Sequence, residues 1–430
     1  MDFYYSFLNF VQPGILWSAL APYRPIFMLS LIAAAVGLVR RSQYPRGVAF
    51  AQPAFRYLIL FIMAQVVSVY YSGASSMLQE LGYWYLYPMF VALSILLISS
   101  VAALKRYVWG MITGSMVVVL YGIYAVYAEL PAAMEGRAGA YGMYENHNDY
   151  SFIIIMVLPF LYLYWRDETG TLRRMLLALS MLACVAGVFL SLSRGGMLAL
   201  VLELGLIALL AVDRKRRTLL LTLIVLLGSV AISYQWAKRA ANQGARYTYA
   251  DAENSRLELW KAAGNMVLAH PLLGVGSRRF REFSRDYGEI SHDNRGKVAH
   301  NTYAQVVATS GLLGLIPFLL MIRSMIRALK VPPGESVPPA LDAIRIAALI
   351  SLYTLIFRAL FDAKAHDWSF YVLCAIAITY TALRQSLQSD ESSKDDVPVS
   401  RQAGRRTAKV PAATQRMAAR GTQQPRASAP

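Results

Sequence analysis

His300 and Asn301 stand directly before an apolar run, residues 302–322, that meets no charge until Arg323. Histidine titrates near neutrality and suits removal of a proton from a hydroxyl. Three arginines, Arg137, Arg194 and Arg358, occur where apolar or outer-side sequence disfavours them, and a fourth, Arg256, lies in a long basic loop. A guanidinium fork matches phosphate or carboxylate oxygens and can stabilise charge on a leaving group. A base beside several such forks describes a pocket for a polyanionic ligand at a lipid boundary. Ser-His-Asp spacing and the HExxH pattern are missing, and no Asp-x-Asp pair offers to hold a divalent metal. These residue types serve a transferase or an anion transporter equally well.

Each position also has a plainer reading. Arg194, in SLSRGGMLAL, could snorkel to headgroups, but Gly195 and Gly196 let backbone or ligand come close. Asn146, His147, Asn148 and Asp149 crowd the start of one apolar run, where a single cap would suffice. Arg358 lies near the end of another such run, a costly position that is by default functional. Glu203 is a candidate internal partner for a basic group. Arg256 and Trp260 are four apart and share a helix face. Gly274 and Gly276 form a turn followed by Arg278, Arg279 and Arg281, a cluster suited to anions. Gly311 and Gly314, three apart, would let a second helix approach closely.

Membrane helices must position these groups. The chain has 430 residues, 57% apolar and 16% charged, and its apolar residues fall in membrane-length blocks. No cleavable signal peptide is evident. Cys184 and Cys374 lie in apolar runs and read as packing residues. The expected fold is an all-α polytopic membrane protein of about twelve spans, or eleven if the Pro-interrupted first segment does not cross. Residues 1–235 hold the N-terminal spans, 236–299 a large extracytoplasmic loop, 300–384 the last spans, and 385–430 a disordered cytoplasmic tail. One set of connections carries Arg40, Arg41, Lys105, Arg106, Arg166, Arg173, Arg174 and 214–217; the alternate set is sparse in basic residues. The first set is therefore cytoplasmic and the His300 side faces out. The net charge of +17 is explained by topology and lipid contact, without nucleic acid.

The stretch HNTYAQVVATSGLLGL resembles the signature of the O-antigen ligase and polymerase superfamily: His300-Asn301, nine residues, Gly311, two residues, Gly314. Three other pieces agree in order. GRAGAYGMYENHNDY resembles the Arg-x-Gly…Asn-x-Asn element, with His147 where the family usually has proline. LSRGG resembles the Ser-Arg-Gly turn. The run from Arg256 through Trp260 to Gly274 and Gly276 resembles the outer-loop element. The resemblance covers roughly residues 137–320; the first hundred match only in hydropathy.

It implies a metal-independent glycosyltransferase with a GT-C-like bundle, no cofactor, and a glycan donor on undecaprenyl diphosphate. The acceptor would be a hydroxyl on lipopolysaccharide core, on a growing polysaccharide or on protein. On that footing Arg194, Arg358, Arg256 and Arg137 hold the diphosphate. His300 with Arg194 would be catalytic, His300 acting as base or as a phosphate clamp. Asn301, Asn146, Asn148, Trp260, Gly274 and Gly276 would position substrate. The readings left open are a ligase in lipopolysaccharide or surface-polysaccharide biosynthesis, a chain polymerase, a protein O-oligosaccharyltransferase and, in another class, a lipid-linked sugar transporter.

Overall fold

Backbone groups in hydrocarbon must be satisfied within the segment, so apolar blocks of this length fold as helices. The computed structural model describes residues 1–73, 77–133, 136–243, 249–332, 335–365 and 367–395. Among them there is no β-strand. The first seven helices are α1 (Asp2–Val11), α2 (Pro13–Leu16), α3 (Pro25–Val39), α4 (Arg46–Phe50), α5 (Pro53–Tyr71), α6 (Met77–Trp84) and α7 (Leu86–Leu97). Then follow α8 (Val101–Tyr127), α9 (His147–Asp167), α10 (Thr171–Ser191), α11 (Arg194–Ala211) and α12 (Arg214–Gln243). The outer loop contributes α13 (Tyr249–Ala269) and the single turn α14 (Phe280–Phe283). The chain closes with α15 (Thr302–Leu329), α16 (Pro339–Arg358) and α17 (Trp368–Asp395).

Eight of the described helices are long and apolar enough to cross a membrane, and α3 and α7 are shorter apolar helices. The polytopic reading stands. Of the remaining expected spans, α16 carries Asp342, Arg345 and Arg358. The first segment does not form one crossing helix. Ten residues of α1 rise about 15 Å, half of a hydrocarbon core. Gln12 then turns left-handed at φ 49° and Pro13 starts a new helix. Instead, α1 lies along α8, where the Cβ of a residue larger than glycine at 110 or 114 would fall within 3 Å of the Phe3 or Phe7 carbonyl oxygen. Asp2 is fully buried and pairs with Arg40 and Arg106.

Two compact units are present, Met1–Arg384 and Gln385–Pro430. The described part of the second is the helical stretch 385–395; the tail expectation for 396–430 lies outside the described residues. Within the first unit α9 is the central helix, buried on almost every face from Tyr150 to Leu161 and packed by α8, α10, α11 and α16. Ser351 of α16 donates its hydroxyl to the Met156 carbonyl of α9 at 2.8 Å.

The second packing centre is a break. α15 leaves helical geometry at Gly311 (φ 62°, ψ −164°). The freed backbone groups find partners in the outer loop: Leu312 N–H donates to Pro271 O (2.8 Å) and Leu313 N–H to Leu272 O (3.2 Å). In return Val275 N–H donates to Ala308 O and Gly276 N–H to Thr309 O, both at 3.0 Å. The loop is stitched into the helix by main chain. From the other side α5 completes the joint, with Ser68 Oγ donating to Thr309 O (2.7 Å) and Gln65 Nε2 to Ser310 Oγ (2.9 Å). Irregular backbone at membrane depth is tolerated where protein buries it in this way.

Candidate functional site

The end of the bundle above this joint contains a cavity of about 430 Å³. Its wall includes Asn146, Asn148 and Asp149 at the start of α9, and His300 and Gln305 around the start of α15. Arg278, Arg281 and Lys297 come from the outer loop, and Asp362 and Lys364 from the connection after α16.

His300 is pinned from both sides. Trp260 on α13 donates its indole N–H to Ala299 O (2.8 Å), and Ala299 N–H donates to Gln305 Oε1 (2.9 Å). Thr302 then sews the start of α15 to the connection after α16. Its N–H donates to Ala359 O (2.8 Å), its hydroxyl donates to Asp362 O (2.7 Å), and the same hydroxyl accepts from Lys364 N–H (2.8 Å). These bonds bring Asp362 beside His300, with Oδ1 to Nδ1 at 3.8 Å. His300 itself sits at φ 49°, a strained value for a non-glycine residue, and its side chain is 31% exposed. Asp362 is also 3.6 Å from the guanidinium of Arg358, whose own exposure is 1%. Burial drives the Asp362 carboxyl upward, but His300 and the Arg358 charge outweigh it and hold the group below its ordinary value.

Arg358 reaches further into the bundle. Its Nη2 lies 3.4 Å from Ser193 Oγ, and Ser193 Oγ donates to Asn148 Oδ1 at 2.7 Å. Ser193 Oγ also accepts from Gly196 N–H, capping α11. One polar chain thus runs from Asn148 through Ser193, Arg358 and Asp362 to His300. It explains Gly195: a Cβ there would stand 2.9 Å from Arg358 Nη1.

The cavity's charges do not all remain open. Lys364 pairs with Asp149, and Asp362 lies against Arg358. Burial pushes the Lys364 ammonium down to about 8, opposed by Asp367.

The sequence-predicted residues divide clearly. His300, Asn146 and Asn148 meet at the cavity, whereas Arg194, Arg358, Arg137 and Arg256 do not line it. Arg194 begins α11 next to Ser193, half-buried, and no ion pair or hydrogen bond engages its side chain among the described residues. Arg137 is buried and spends its fork on α10, donating to Ser191 O (3.1 Å) and Leu192 O (3.5 Å). Arg256 is on α13, half-buried. Asn301 caps α15, its Oδ1 accepting from Tyr303 N–H (3.0 Å) and Ala304 N–H (3.1 Å), so that oxygen is committed to the helix. Asn146 likewise accepts from Asn148 N–H at 2.8 Å.

The glycines are all sites of close approach, and only Gly311 departs from its expected role of admitting a second helix. Gly311 packs against loop backbone: a Cβ there would fall 2.2 Å from the Leu272 carbonyl. Gly314 faces Ser310 of its own helix and Gln65 of α5. Gly274 (φ 67°) presses on the Thr309–Ser310 peptide and Gly276 (φ 114°) on the Ser72 side chain. Glu203 is buried with neither carboxylate oxygen hydrogen-bonded, so no basic partner meets it among the described residues. Sequence reasoning missed Asp362 and Lys297. The first had a legible signal, since Asp362 follows Arg358 by four; the second is one basic residue in a basic loop.

The family model described as O-antigen ligase matches residues 178–319. That segment holds Ser193, Arg194, Trp260, the stitched loop, His300 and the break at Gly311. The match supports the O-antigen ligase superfamily and, with the apolar helices, an O-antigen ligase-like glycosyltransferase that is a multi-pass membrane protein. No curated protein matches the chain.

Proposed function

We propose that the chain transfers a glycan from undecaprenyl diphosphate to an acceptor hydroxyl at the His300 cavity, on the outer side of the inner membrane. The observation that carries this reading is His300, backed by Asp362, in the wall of a cavity that also holds two asparagines and several cations. Asp362 favours a proton on His300 Nδ1, which leaves Nε2 as the base. Nε2 takes the acceptor's hydroxyl proton, and the oxygen forms a bond to the anomeric carbon. The carbon–oxygen bond to phosphate breaks, and undecaprenyl diphosphate departs with the electron pair. One displacement inverts the anomeric centre, since no second carboxylate is proposed as nucleophile.

Arg194 is the most available of the expected phosphate ligands, because among the described residues no protein group occupies its fork. Arg358 supports Asp362 from below, and Arg137 anchors the end of α10. Arg256, with Trp260, belongs to the helix that covers the site. The basic connections at the opposite end of the helices favour a cytoplasmic position for that end and for the C-terminus.

The test uses purified protein, the lipid-linked donor, and acceptor pools of lipopolysaccharide core, donor alone and a Ser/Thr-rich protein extract, all in EDTA. A glycan ladder from donor alone assigns a polymerase; one discrete transfer assigns a ligase and names its acceptor. Donor binding without product in any pool would reject transfer and favour transport.

A further inference from the structure

Four carboxamide side chains line the His300 cavity: Gln65, Asn146, Asn148 and Gln305. Gln65 is spent at both ends, accepting from Ser277 Oγ (2.8 Å) and donating to Ser310 Oγ (2.9 Å). Gln305 is spent at one end only. Its Oε1 accepts from Ala299 N–H at 2.9 Å, and among the described residues nothing accepts from its amide nitrogen. A backbone N–H can only donate, so the end that meets Ala299 is the oxygen, and the amide cannot turn over. The half-buried side chain therefore leaves its NH2 for the cavity.

The rest of this end of α15 is already used. Thr302 N–H goes to Ala359 O, Tyr303 and Ala304 N–H to Asn301 Oδ1, and Gln305 N–H to Asn301 O (2.9 Å). The first four backbone donors of the helix are thus taken by protein, and none is left to hold an anion. Thr309, in the same wall, donates its hydroxyl to Gln305 O at 2.8 Å. Asn301, the amide expected to position substrate, caps the helix and does not line the cavity. Gln305, four residues on and about one turn along the helix, does line it.

We propose that Gln305 is a substrate contact, its amide N–H donating to the acceptor hydroxyl that His300 deprotonates. This rests on the reading of the cavity as the transfer site. The hydroxyl oxygen then has three partners. Its proton faces His300 Nε2, one lone pair accepts from Gln305, and the other attacks the anomeric carbon. Gln305 and His300 are set against each other by the backbone, because the amide oxygen is bonded to Ala299, the residue before the histidine. A neutral donor suits this place. It orients the oxygen without adding a positive charge that would weaken the imidazole as a base.

The test reads acceptor KM, turnover and thermal melting of the full chain in detergent, with lipopolysaccharide core as the first acceptor and the other two pools after it. Gln305→Glu keeps an oxygen for Ala299 N–H and removes the NH2. Its melt should match wild type, while its acceptor KM should rise about tenfold, the size of one lost hydrogen bond to substrate. Rates are taken at a pH where the wild-type rate no longer rises, so that the added carboxylate does not act through protonation of His300. Gln305→Met, neutral and of similar length, should raise acceptor KM to the same extent and also lower the melt, since the tie to Ala299 goes with the donor. A wild-type acceptor KM in Gln305→Met overturns the contact, whatever Gln305→Glu does. A normally melting Gln305→Glu with a wild-type acceptor KM overturns it too, because the side chain then serves only as the tie. Weaker calorimetric binding of sugar-free polyprenyl diphosphate by Gln305→Met, with acceptor KM unchanged, would move the amide to the donor phosphate and overturn the assignment. No product from wild type in any pool rejects the transfer reading and this contact with it. Product from wild type and both variants at equal KM rejects the contact alone.

Discussion

The larger cavity of the membrane unit lies at the opposite end from His300. It measures about 1160 Å³ and is walled by Trp109, Met116, Leu120, Leu176 and Leu177 between α8 and α10. Lys105, Arg166, Arg173, Asp167, Glu168 and Asp342 stand around it in equal numbers of each sign. The His300 cavity is less than half that volume, yet it gathers a histidine, two asparagines, two carboxylates and four basic side chains. Volume measures how loosely helices meet, whereas convergence of polar groups measures what their backbones have been made to hold. At the small cavity every approach is fastened: Trp260 to Ala299, Thr302 to Asp362, Ser193 to Asn148. A site that orients reacting atoms needs such fastening. A groove between loosely meeting helices does not.

The widest separation between the two cavities should come from His300→Ala. Loss of a general base lowers turnover on the order of 100- to 10,000-fold, whereas Arg173→Ala in the large groove should leave turnover with the lipid-linked donor within about twofold. Equal losses would erase the distinction. Next is Gly311→Ala. It puts a side chain at φ 62° and onto the Leu272 carbonyl, so a cost of about 3 kcal/mol is expected. A thermal melt in detergent should show it, while Gly205→Ala, where a Cβ meets nothing, should melt as wild type does.

Asp362→Asn follows, with turnover down on the order of tenfold. It also tests linkage. The folded carboxyl lies below its unfolded value, so its contribution is present above the ordinary aspartate range, about 3.9, and is lost as pH falls through the folded pKa. The acid limb of stability against pH should therefore flatten in the variant. The smallest change is Trp260→Phe, which removes one hydrogen bond to Ala299 O and should cost about 1 kcal/mol. Its melt should shift slightly and its turnover fall only severalfold; an unchanged melt would say that α13 does not hold His300.

Helix content, the His300 element and the Asn146–Asn148 cluster could be read in the sequence, because apolar block length and polar residues at block ends are local facts. What Gly311 touches could not. A three-residue spacing says that Gly311 and Gly314 share a face if the helix continues, and here it does not. The arginines misled for a related reason. A charge beside an apolar run declares a special environment, but a backbone carboxy-terminal cage for Arg137 and an anion site give the same signal. The cavity's own cations lay in a basic loop, where only folding separates Arg281 from Arg279.

The join between residues 271–276 and 308–313 bears on how the chain can be recombined. Its bonds run between main-chain atoms, so they ask little of side-chain identity but much of register. The outer loop is therefore no exchangeable cassette. A graft ending between Gly276 and Ala308 would leave the host's broken α15 with main-chain groups that the donor loop must meet atom for atom. A graft carrying 270–314 as one block brings both halves of the seam. Chimaeras intended to trade acceptor preference should be cut outside that block.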